Sequence, residues 1–230
     1  VTSNDTSQHY TFVDFDRSLV GWWRMDDRNS SGGVVDLSSY SNNGSVVGPL
    51  VINSTGYFGN ASHSNVSGDY VQVPFTQSLN FSYTNFSISG WIRPRTDITA
   101  DTIVGTGNPY NTDGTGWIFS YRGDSSDRVE LQINNGTGSG NSTFASAGSF
   151  GGAWRHVVVT VNRWGNATIY VNGTLYSTKD ITSETGGNLG NNPIRVGAYG
   201  STGTSLNGSL DEVLIFNKVL SLAEIQSLYN

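Results

Sequence analysis

The chain has 230 residues, of which 36% are hydrophobic and 12% aromatic, so it can bury one substantial core and is expected to form one domain. Its formal net charge is -6 and its 12 Lys and Arg residues form no cluster, so nucleic acid is not an expected partner. It has no cysteine and no apolar run near the roughly 18 residues that span a bilayer, so we expect neither disulfides nor direct membrane insertion.

Segments in which apolar and polar residues alternate, separated by Gly, Asn, Ser or Asp, run along most of the chain and predict β-strands. Residues 1–15 are expected to be an N-terminal lead-in with a possible first strand, YTFVDF, and residues 16–230 the folded domain. The further segments with this pattern are LVGWWRM, DYVQV, FSISGWI, GWIFSYR, RVELQIN, WRHVVVTV, ATIYV, TLYST, PIRVGA and LDEVLIF. The pattern predicts an all-β protein.

Two loop aromatics are candidate ligand contacts, because sugar sites pair an aromatic ring with Asn or Asp side chains. Tyr110 is flanked by Asn111 and Asp113 in the loop GTGNPYNTDGTG, and Trp164 falls in the turn NRWGN. The alternative is that each ring folds back on its own sheet. The other tryptophans fall in strand patterns and are assigned to the core or a sheet surface: Trp22, Trp23, Trp91, Trp117 and Trp154.

Turn chemistry predicts two hairpins in the second half of the chain. The dipeptide Asn172-Gly173 fits a two-residue type I′ turn, whose positive φ angles both residues tolerate, so residues 167–180 are expected to form a tight hairpin. A second hairpin is expected to turn at residues 162–166.

The C-terminal segment GSLDEVLIFNKVLSLAEIQSLYN combines an apolar strand with a short helix. Ser221 and Glu224 have the spacing of a capping box, and helical periodicity follows them, so an amphipathic helix is expected to cover one face of the strand. Strict alternation would place Asp211 and Glu212 on opposite faces of that strand. Both faces look buried, and a buried carboxylate costs several kcal/mol unless its oxygens are satisfied.

Thirteen N-x-S/T sequons occur, against about five expected from composition, and they favour a secreted glycoprotein. The alternative is that a surface rich in Ser, Thr and Asn generates sequons by chance. Glycosylation is expected at positions that include Asn53, Asn135, Asn141 and Asn172. The expected location is extracellular or at the cell surface.

Six segments in order resemble one family of domains: VGWWRMDD, VVDLSSYSNNGSVVG, GYFGNA with SGDYVQVP, FSISGWIRP, WRHVVVTVNRWGNATIYVNGTLYS and GSLDEVLIFNKVLSLAEIQSLY. Together they are similar to the laminin-G-like, concanavalin A-like lectin domains. The resemblance implies a two-sheet antiparallel jelly-roll sandwich with a short C-terminal helix. It also implies an extracellular binding or adhesion module of a larger multidomain chain, often with a structural calcium ion.

Calcium takes six to eight oxygen ligands, and an ion would satisfy Asp211. In similar proteins the acid of this last strand lies beside N-terminal segments, so the resemblance implies calcium ligands among Asp26, Asp36, Asn43 and Asp211. The alternatives for Asp211 are a hydrated position at the rim of the sheet and hydrogen bonds from the N–H groups of a neighbouring loop.

The sequence lacks the acids that catalysis in this fold requires. Laminarinase-type glycosidases place two Glu and an Asp on one strand face, whereas Glu occurs here only at positions 130, 184, 212 and 224. We therefore expect a non-catalytic recognition or adhesion module whose partner is a glycan or a cell-surface glycoprotein. The alternative is an architectural domain of a surface protein without a small ligand.

Overall fold

The structure is a computed structural model that describes most of the chain after the lead-in. The described ranges are 16–53, 55–64, 68–95, 101–111, 114–123, 127–137, 141–146, 150–200 and 205–230. The expected lead-in and first strand of residues 1–15 lie outside them, as do Asp113 and the side chain of Asn141.

Fifteen strands and one α-helix make up the regular structure of these ranges, together with two single turns of 3-10 helix. The strands are β1 Leu19–Trp23, β2 Ser45–Val47, β3 Val51–Asn53, β4 Ala61–Ser64, β5 Tyr70–Val73, β6 Phe86–Pro94, β7 Asp101–Gly107, β8 Thr115–Arg122, β9 Arg128–Asn135, β10 Asn141–Ser146, β11 Arg155–Val161, β12 Asn166–Val171, β13 Thr174–Asp180, β14 Ile194–Val196 and β15 Gly208–Phe216. The helix α1 is Leu222–Tyr229.

The strands form two antiparallel sheets, as the sequence predicts. Among the described residues, one sheet has eight strands in the order β13-β12-β11-β6-β15-β4-β3, with β1 also paired to β15. The other has seven strands in the order β10-β9-β8-β7-β14-β5-β2. The last strand of the chain therefore lies in the middle of the larger sheet, between β6 on one side and β1 and β4 on the other.

The core lies between the two sheets and is built from the alternate side chains of their strands. One continuous cluster contains Trp23, Phe86, Trp117, Phe119 and Ile215, all of them 1% exposed or less. The intervening residues point to the outer face of each sheet. Each sheet therefore has an outer face on which loops or the helix can form a binding site.

The helix covers part of the outer face of the larger sheet. Ser221 and Glu224 form the capping box expected from their spacing. The buried helix residues Ile225 and Leu228 pack in a second cluster with Leu214, which points outward from β15. The predicted helix and its role in covering β15 are both confirmed.

Both hairpins form at the predicted turns. Asn172 and Gly173 have φ angles of 49° and 70°, as a type I′ turn requires, and they join β12 to β13. The turn between β11 and β12 is closed by hydrogen bonds between the main chains of Asn162 and Asn166 and of Asn162 and Gly165.

Candidate functional site

A β-bulge brings the two acids of β15 to the same face of the sheet. Asp211 pairs with Trp91 and Leu214 with Ser89, so two residues of β15 lie opposite the single residue Gly90. Glu212 takes up the extra length with a φ of 49°. Leu210 and Val213 therefore both face the core, and the two acids between them face outward. The expectation that Asp211 and Glu212 lie on opposite faces was wrong.

Each acid is fully buried and has one direct hydrogen-bond donor. The main-chain N–H of Phe58 donates to Asp211 Oδ2 at 2.8 Å, and Trp22 Nε1 donates to Glu212 Oε2 at 2.6 Å. The other oxygens, Asp211 Oδ1 and Glu212 Oε1, are buried without a hydrogen-bond partner in the described part of the chain. The hydrated rim position is therefore excluded for Asp211, and the loop N–H alternative accounts for only one of its two oxygens.

Burial dominates the protonation of this pair. It raises the pKa of Asp211 to about 8 and that of Glu212 to about 7, although the bonds from Phe58 and Trp22 act in the opposite direction. The charge of nearby Asp26 raises both pKa values further. At neutral pH Asp211 is thus held largely protonated and Glu212 about half protonated, unless a cation compensates for their charge.

The four predicted calcium ligands lie in two separate places. Asp26 accepts a 2.7 Å hydrogen bond from the N–H of Asn60, so it shares the turn at residues 56–60 with Asp211. Asp36 instead accepts bonds from Trp22, Ser38 and Asn42, while Asn43 Oδ1 accepts from the N–H of Asp36.

The donor set at the turn fits a cation only in part. Within the described ranges, no group of three or more His, Asp or Glu side chains is arranged to hold a metal ion. The unpartnered oxygens of Asp211 and Glu212, with Asp26 close by, are nevertheless the kind of ligand that calcium prefers. Calcium therefore remains a prediction, now with Glu212 in place of Asp36 and Asn43. The sequence marks Glu212 as a buried acid, but only the bulge reveals that it shares a face with Asp211.

The loop of Tyr110 borders a groove on the outer side of the smaller sheet. The groove has a volume of about 400 Å³ and is lined by Asn108, Asn111, Asn192 and Arg195, among others. Asn134 Nδ2 ties the loop to the sheet through 3.0 Å bonds to the carbonyls of Pro109 and Asn111. Asn192 and Arg195 were not identified from the sequence, because only strand pairing brings β14 beside β7.

The ring of Tyr110 is partly folded back on its own sheet and partly exposed to a ligand, so both alternatives from the sequence apply to it. Its side chain is 42% exposed, and its ring meets that of Tyr199 edge-on with centroids 5.3 Å apart. Its hydroxyl is the buried end, and burial, aided by the charge of Glu130, raises the pKa of Tyr110 to about 12. The rest of the ring therefore remains accessible in the loop that borders the groove.

Trp164 is 61% exposed at the tip of its hairpin. The neighbouring Arg163 is 1% exposed and anchors the turn, with Nη2 donating to the carbonyls of Ser82 and Gly187 at 3.1 and 3.3 Å. Tyr83, which follows Ser82, is 60% exposed. Trp164 and Tyr83, called here the exposed aromatic pair, are thus two exposed rings on loops that the buried Arg163 connects.

Contacts between loops place this aromatic pair at the same end of the sandwich as the groove. Gly187 lies against the side chain of Asn135, and Asn135 pairs with Thr115, which lines the groove. The structure therefore brings the predicted ligand residues Tyr110, Asn111 and Trp164 to one end of the molecule.

The sequons differ in their accessibility. Asn53 is exposed, and Asn172 is half-buried at a hairpin tip, where its Oδ1 accepts a bond from the N–H of His156. Asn135 is only 8% exposed, and its side chain lies against Gly187, which leaves little room for a glycan. Occupancy at Asn53, Asn141 and Asn172 remains a prediction.

The sequence is similar to segments of clostridial toxins. It is 30% identical over 170 residues to Paraclostridial mosquitocidal protein 1 of Paraclostridium bifermentans, a match that covers 69% of this chain and 13% of that protein. It is 29% identical over 223 residues to botulinum neurotoxin type E of Clostridium butyricum, covering 85% of this chain and 16% of the toxin. The chain thus spans a small part of the curated relatives that it matches.

Solved structures of toxin binding domains have the same fold. The binding domain of Paraclostridial mosquitocidal protein 1 superposes with a TM-score of 0.73 at 24% identity, covering 93% of this chain and 52% of that domain. The ligand-binding domain of botulinum neurotoxin serotype D, solved with N-acetylneuraminic acid, superposes with a TM-score of 0.72 at 22% identity, covering 93% and 50%. Both are binding domains rather than catalytic ones.

A match to a family model identifies the family of the chain. Residues 65–226, well over half of the chain, match the model described as the concanavalin A-like lectin/glucanases superfamily, laminin G type. The two-sheet sandwich and the C-terminal strand and helix agree with this match. The chain therefore belongs to the concanavalin A-like lectin/glucanases superfamily.

Proposed function

We propose that this chain is a non-catalytic glycan-binding module that acts outside the cell as part of a larger protein. The observation that carries the proposal is the groove beside Tyr110, where three asparagines and Arg195 line a volume of about 400 Å³. Amide side chains both donate and accept hydrogen bonds, as sugar hydroxyls do, and the ring of Tyr110 in the loop that borders the groove suits the apolar face of a sugar. This is the composition expected of a carbohydrate site.

Two polar atoms of the groove residues support the proposal. Asn108 Oδ1 and Arg195 Nε are buried and have no hydrogen-bond partner in the ranges that the structure describes. An unpaired buried polar group costs free energy, and a ligand hydroxyl that donates to one and accepts from the other would remove this cost. The guanidinium of Arg195 is held in place by stacking over the ring of Tyr70 at 5.1 Å.

The relatives favour the same class of function. The serotype D domain has been solved with N-acetylneuraminic acid, and a related domain of type DC has been solved with SialylT. Another structure of the type DC domain contains rat synaptotagmin II, a protein ligand. Because this chain covers only about half of these domains, we infer the ligand class and not the individual ligand.

We also propose a structural calcium ion bound by Asp211 and Glu212, with Asp26 close by, although the three carboxylates are not arranged as a complete ligand set in the described ranges. The two unpartnered buried oxygens support it, and main-chain carbonyls and water would complete the six to eight ligands that calcium requires. The ion would compensate for the buried negative charge and connect the N-terminal segment to the last strand.

A glycan array that includes sialylated and neutral glycans tests the main proposal. We expect the wild type to bind, and Tyr110→Ala and Asn111→Ala to weaken the hits by about tenfold. Tyr176→Ala is the matched control, because Tyr176 is 43% exposed but lies on the edge strand β13. Trp164→Ala tests whether the exposed aromatic pair contributes to binding of the same glycan. A wild type without hits, or hits equally strong in all variants, would refute glycan binding and favour an architectural role.

A further inference from the structure

A second groove lies on the outer face of the larger sheet, away from the Tyr110 groove. Its volume is about 490 Å³, and its lining includes His63, Arg93, Arg95 and Ser209. The alternate neighbour Leu210 belongs to the core between the sheets, which places Ser209 on the outer face. By the same alternation, Arg195 of the first groove lies on the outer face of the opposite sheet.

Strand register builds the floor of this groove. Ser209 of β15 pairs with His63 of β4 on one side and with Arg93 of β6 on the other, so the three side chains form a row across adjacent strands. His63 Nδ1 lies 3.1 Å from Ser209 Oγ, and Arg93 Nη2 donates to the same oxygen at 3.4 Å. The hydroxyl thereby fixes the position of both neighbours.

The groove is positively charged in a protein whose net charge is -6. Two arginines and a histidine line it, and none of its described lining residues is acidic. Arg95 is exposed, and no ion pair joins it or Arg93 to a carboxylate within the described ranges. Two guanidinium groups that have no carboxylate partner among the described residues suit an anionic ligand, because arginine binds planar oxyanions through paired hydrogen bonds.

Aromatic rings lie beside Arg93, one of the residues that line the groove. Arg93 lies over the ring of Trp154 at 5.1 Å, and Trp154 is partly exposed, which agrees with the sheet surface and not the core among the two places assigned to it from the sequence. The ring of Tyr57, which is 42% exposed, meets Trp154 edge-on at 6.4 Å. Tyr57 is itself held in place by stacking on the buried ring of Trp91, with centroids 3.4 Å apart. Arginine beside exposed aromatic edges is suited to a ligand that has both an anionic group and a ring.

We propose that this groove is a binding site for an acidic sugar, with Arg93 and Arg95 holding its carboxylate or sulfate group. The hydroxyl of Ser209 holds Arg93 and His63 in place, and the sugar ring packs against Trp154 and Tyr57 beside Arg93. The site does not depend on the Tyr110 groove, since the two lie on opposite outer faces. The protein therefore has two separate recognition surfaces.

An NMR titration of the labelled domain tests the proposal with three probes. N-acetylneuraminic acid carries a carboxylate, N-acetylglucosamine 6-sulfate carries a sulfate, and N-acetylglucosamine is the neutral control. We expect the amides of Gly152, Gly208 and Ser209 and the indole of Trp154 to shift with one or both anionic sugars, and the preferred probe identifies the anionic group. A neutral sugar that shifts them equally would overturn the proposal, as would anionic sugars that shift only the Tyr110 groove.

Charge variants separate a local contact from a general effect of net charge. Arg93→Gln and Arg95→Gln are each expected to weaken binding of the anionic sugar by about 10- to 100-fold, the usual loss for a charge-assisted hydrogen bond. Lys179→Gln on β13 removes the same charge outside the groove and should bind as the wild type does. If Arg93→Gln unfolds because its contact with Trp154 is lost, Arg95→Gln decides the outcome. Wild-type affinity in Arg95→Gln would overturn the assignment, whereas Tyr110→Ala should leave this site unchanged.

Discussion

Replacing Asp211 by Asn tests the acidic cluster, because it removes one buried charge while keeping the size of the side chain. Burial raises the pKa of Asp211 from 3.8 to about 8, so the folded protein binds this proton more tightly than the unfolded chain does. The stability that the protonated acid contributes is therefore complete below about pH 4 and is lost as the pH rises towards 8. At 1.36 kcal/mol per pH unit, the wild type should lose about 4 kcal/mol relative to Asp211→Asn between pH 4 and pH 7.

Calcium should reverse part of this loss in the wild type. With a dissociation constant near 10⁻⁴ M and about 2 mM free calcium, the stabilisation is roughly 1.8 kcal/mol. For a domain of this size that is a rise in melting temperature of about 4 to 7 °C. The rise should be small at pH 5 and larger at pH 8, because calcium must displace protons from Asp211 and Glu212. Asp211→Asn should lose most of the response.

Denaturant unfolding and thermal melts from pH 4 to pH 8.5, with calcium and with chelator, provide the measurement. Asp180→Asn is the control, because Asp180 is a fully exposed acid and its pKa is lowered rather than raised. A difference between wild type and Asp211→Asn that stays constant with pH would refute the assignment of Asp211 as a buried, protonated acid. Identical melts with calcium and with chelator at every pH would refute the calcium site.

Three further predictions concern the helix, the buried arginine and the sequons. Ser221→Ala should cost about 1 kcal/mol in unfolding free energy through loss of the N-cap, and Ser227→Ala, within the same helix, should cost less. Arg163→Met should cost about 3 kcal/mol in denaturant unfolding because it leaves one buried and one part-buried main-chain carbonyl unpaired, whereas Arg28→Met at an exposed loop should be nearly neutral. An equal loss in both arginine variants would contradict the anchoring role. The intact mass of protein from its native host should exceed that of the polypeptide, and peptide mapping should find Asn135 unmodified.

Local sequence signals predicted the elements that depend on nearby residues. Asn172-Gly173 specified its turn because positive φ angles are a local requirement, and Ser221 with Glu224 specified the start of the helix for the same reason. The strands followed from alternation, and the resemblance supplied their assembly into two sheets. Each of these features involves residues that are close in the sequence or a pattern shared by a whole family.

The sites depended on contacts that the local sequence does not encode. The bulge at Glu212 is set by the pairing of β15 with β6 and by a donor at Phe58, which is 153 positions before Asp211. Trp154 was assigned to a strand, but it lies just before β11 and packs under Arg93. In contrast, Tyr110 was found because its neighbouring amides are local, although Arg195 on the far side of the groove was not.

The position of β15 in the larger sheet also determines when the chain can fold during synthesis. Strands β1, β4 and β6 are made early, but each pairs with Gly208–Phe216, which leaves the ribosome near the end of this segment. Until then, the apolar faces of these strands lack the strand that completes the core. Contacts between residues so far apart in the sequence also form slowly. A nascent chain of this kind stays exposed to aggregation and proteolysis for most of its synthesis. The domain is thus suited to folding only once β15 has left the ribosome, and release of that strand is the step that commits the domain to the native state.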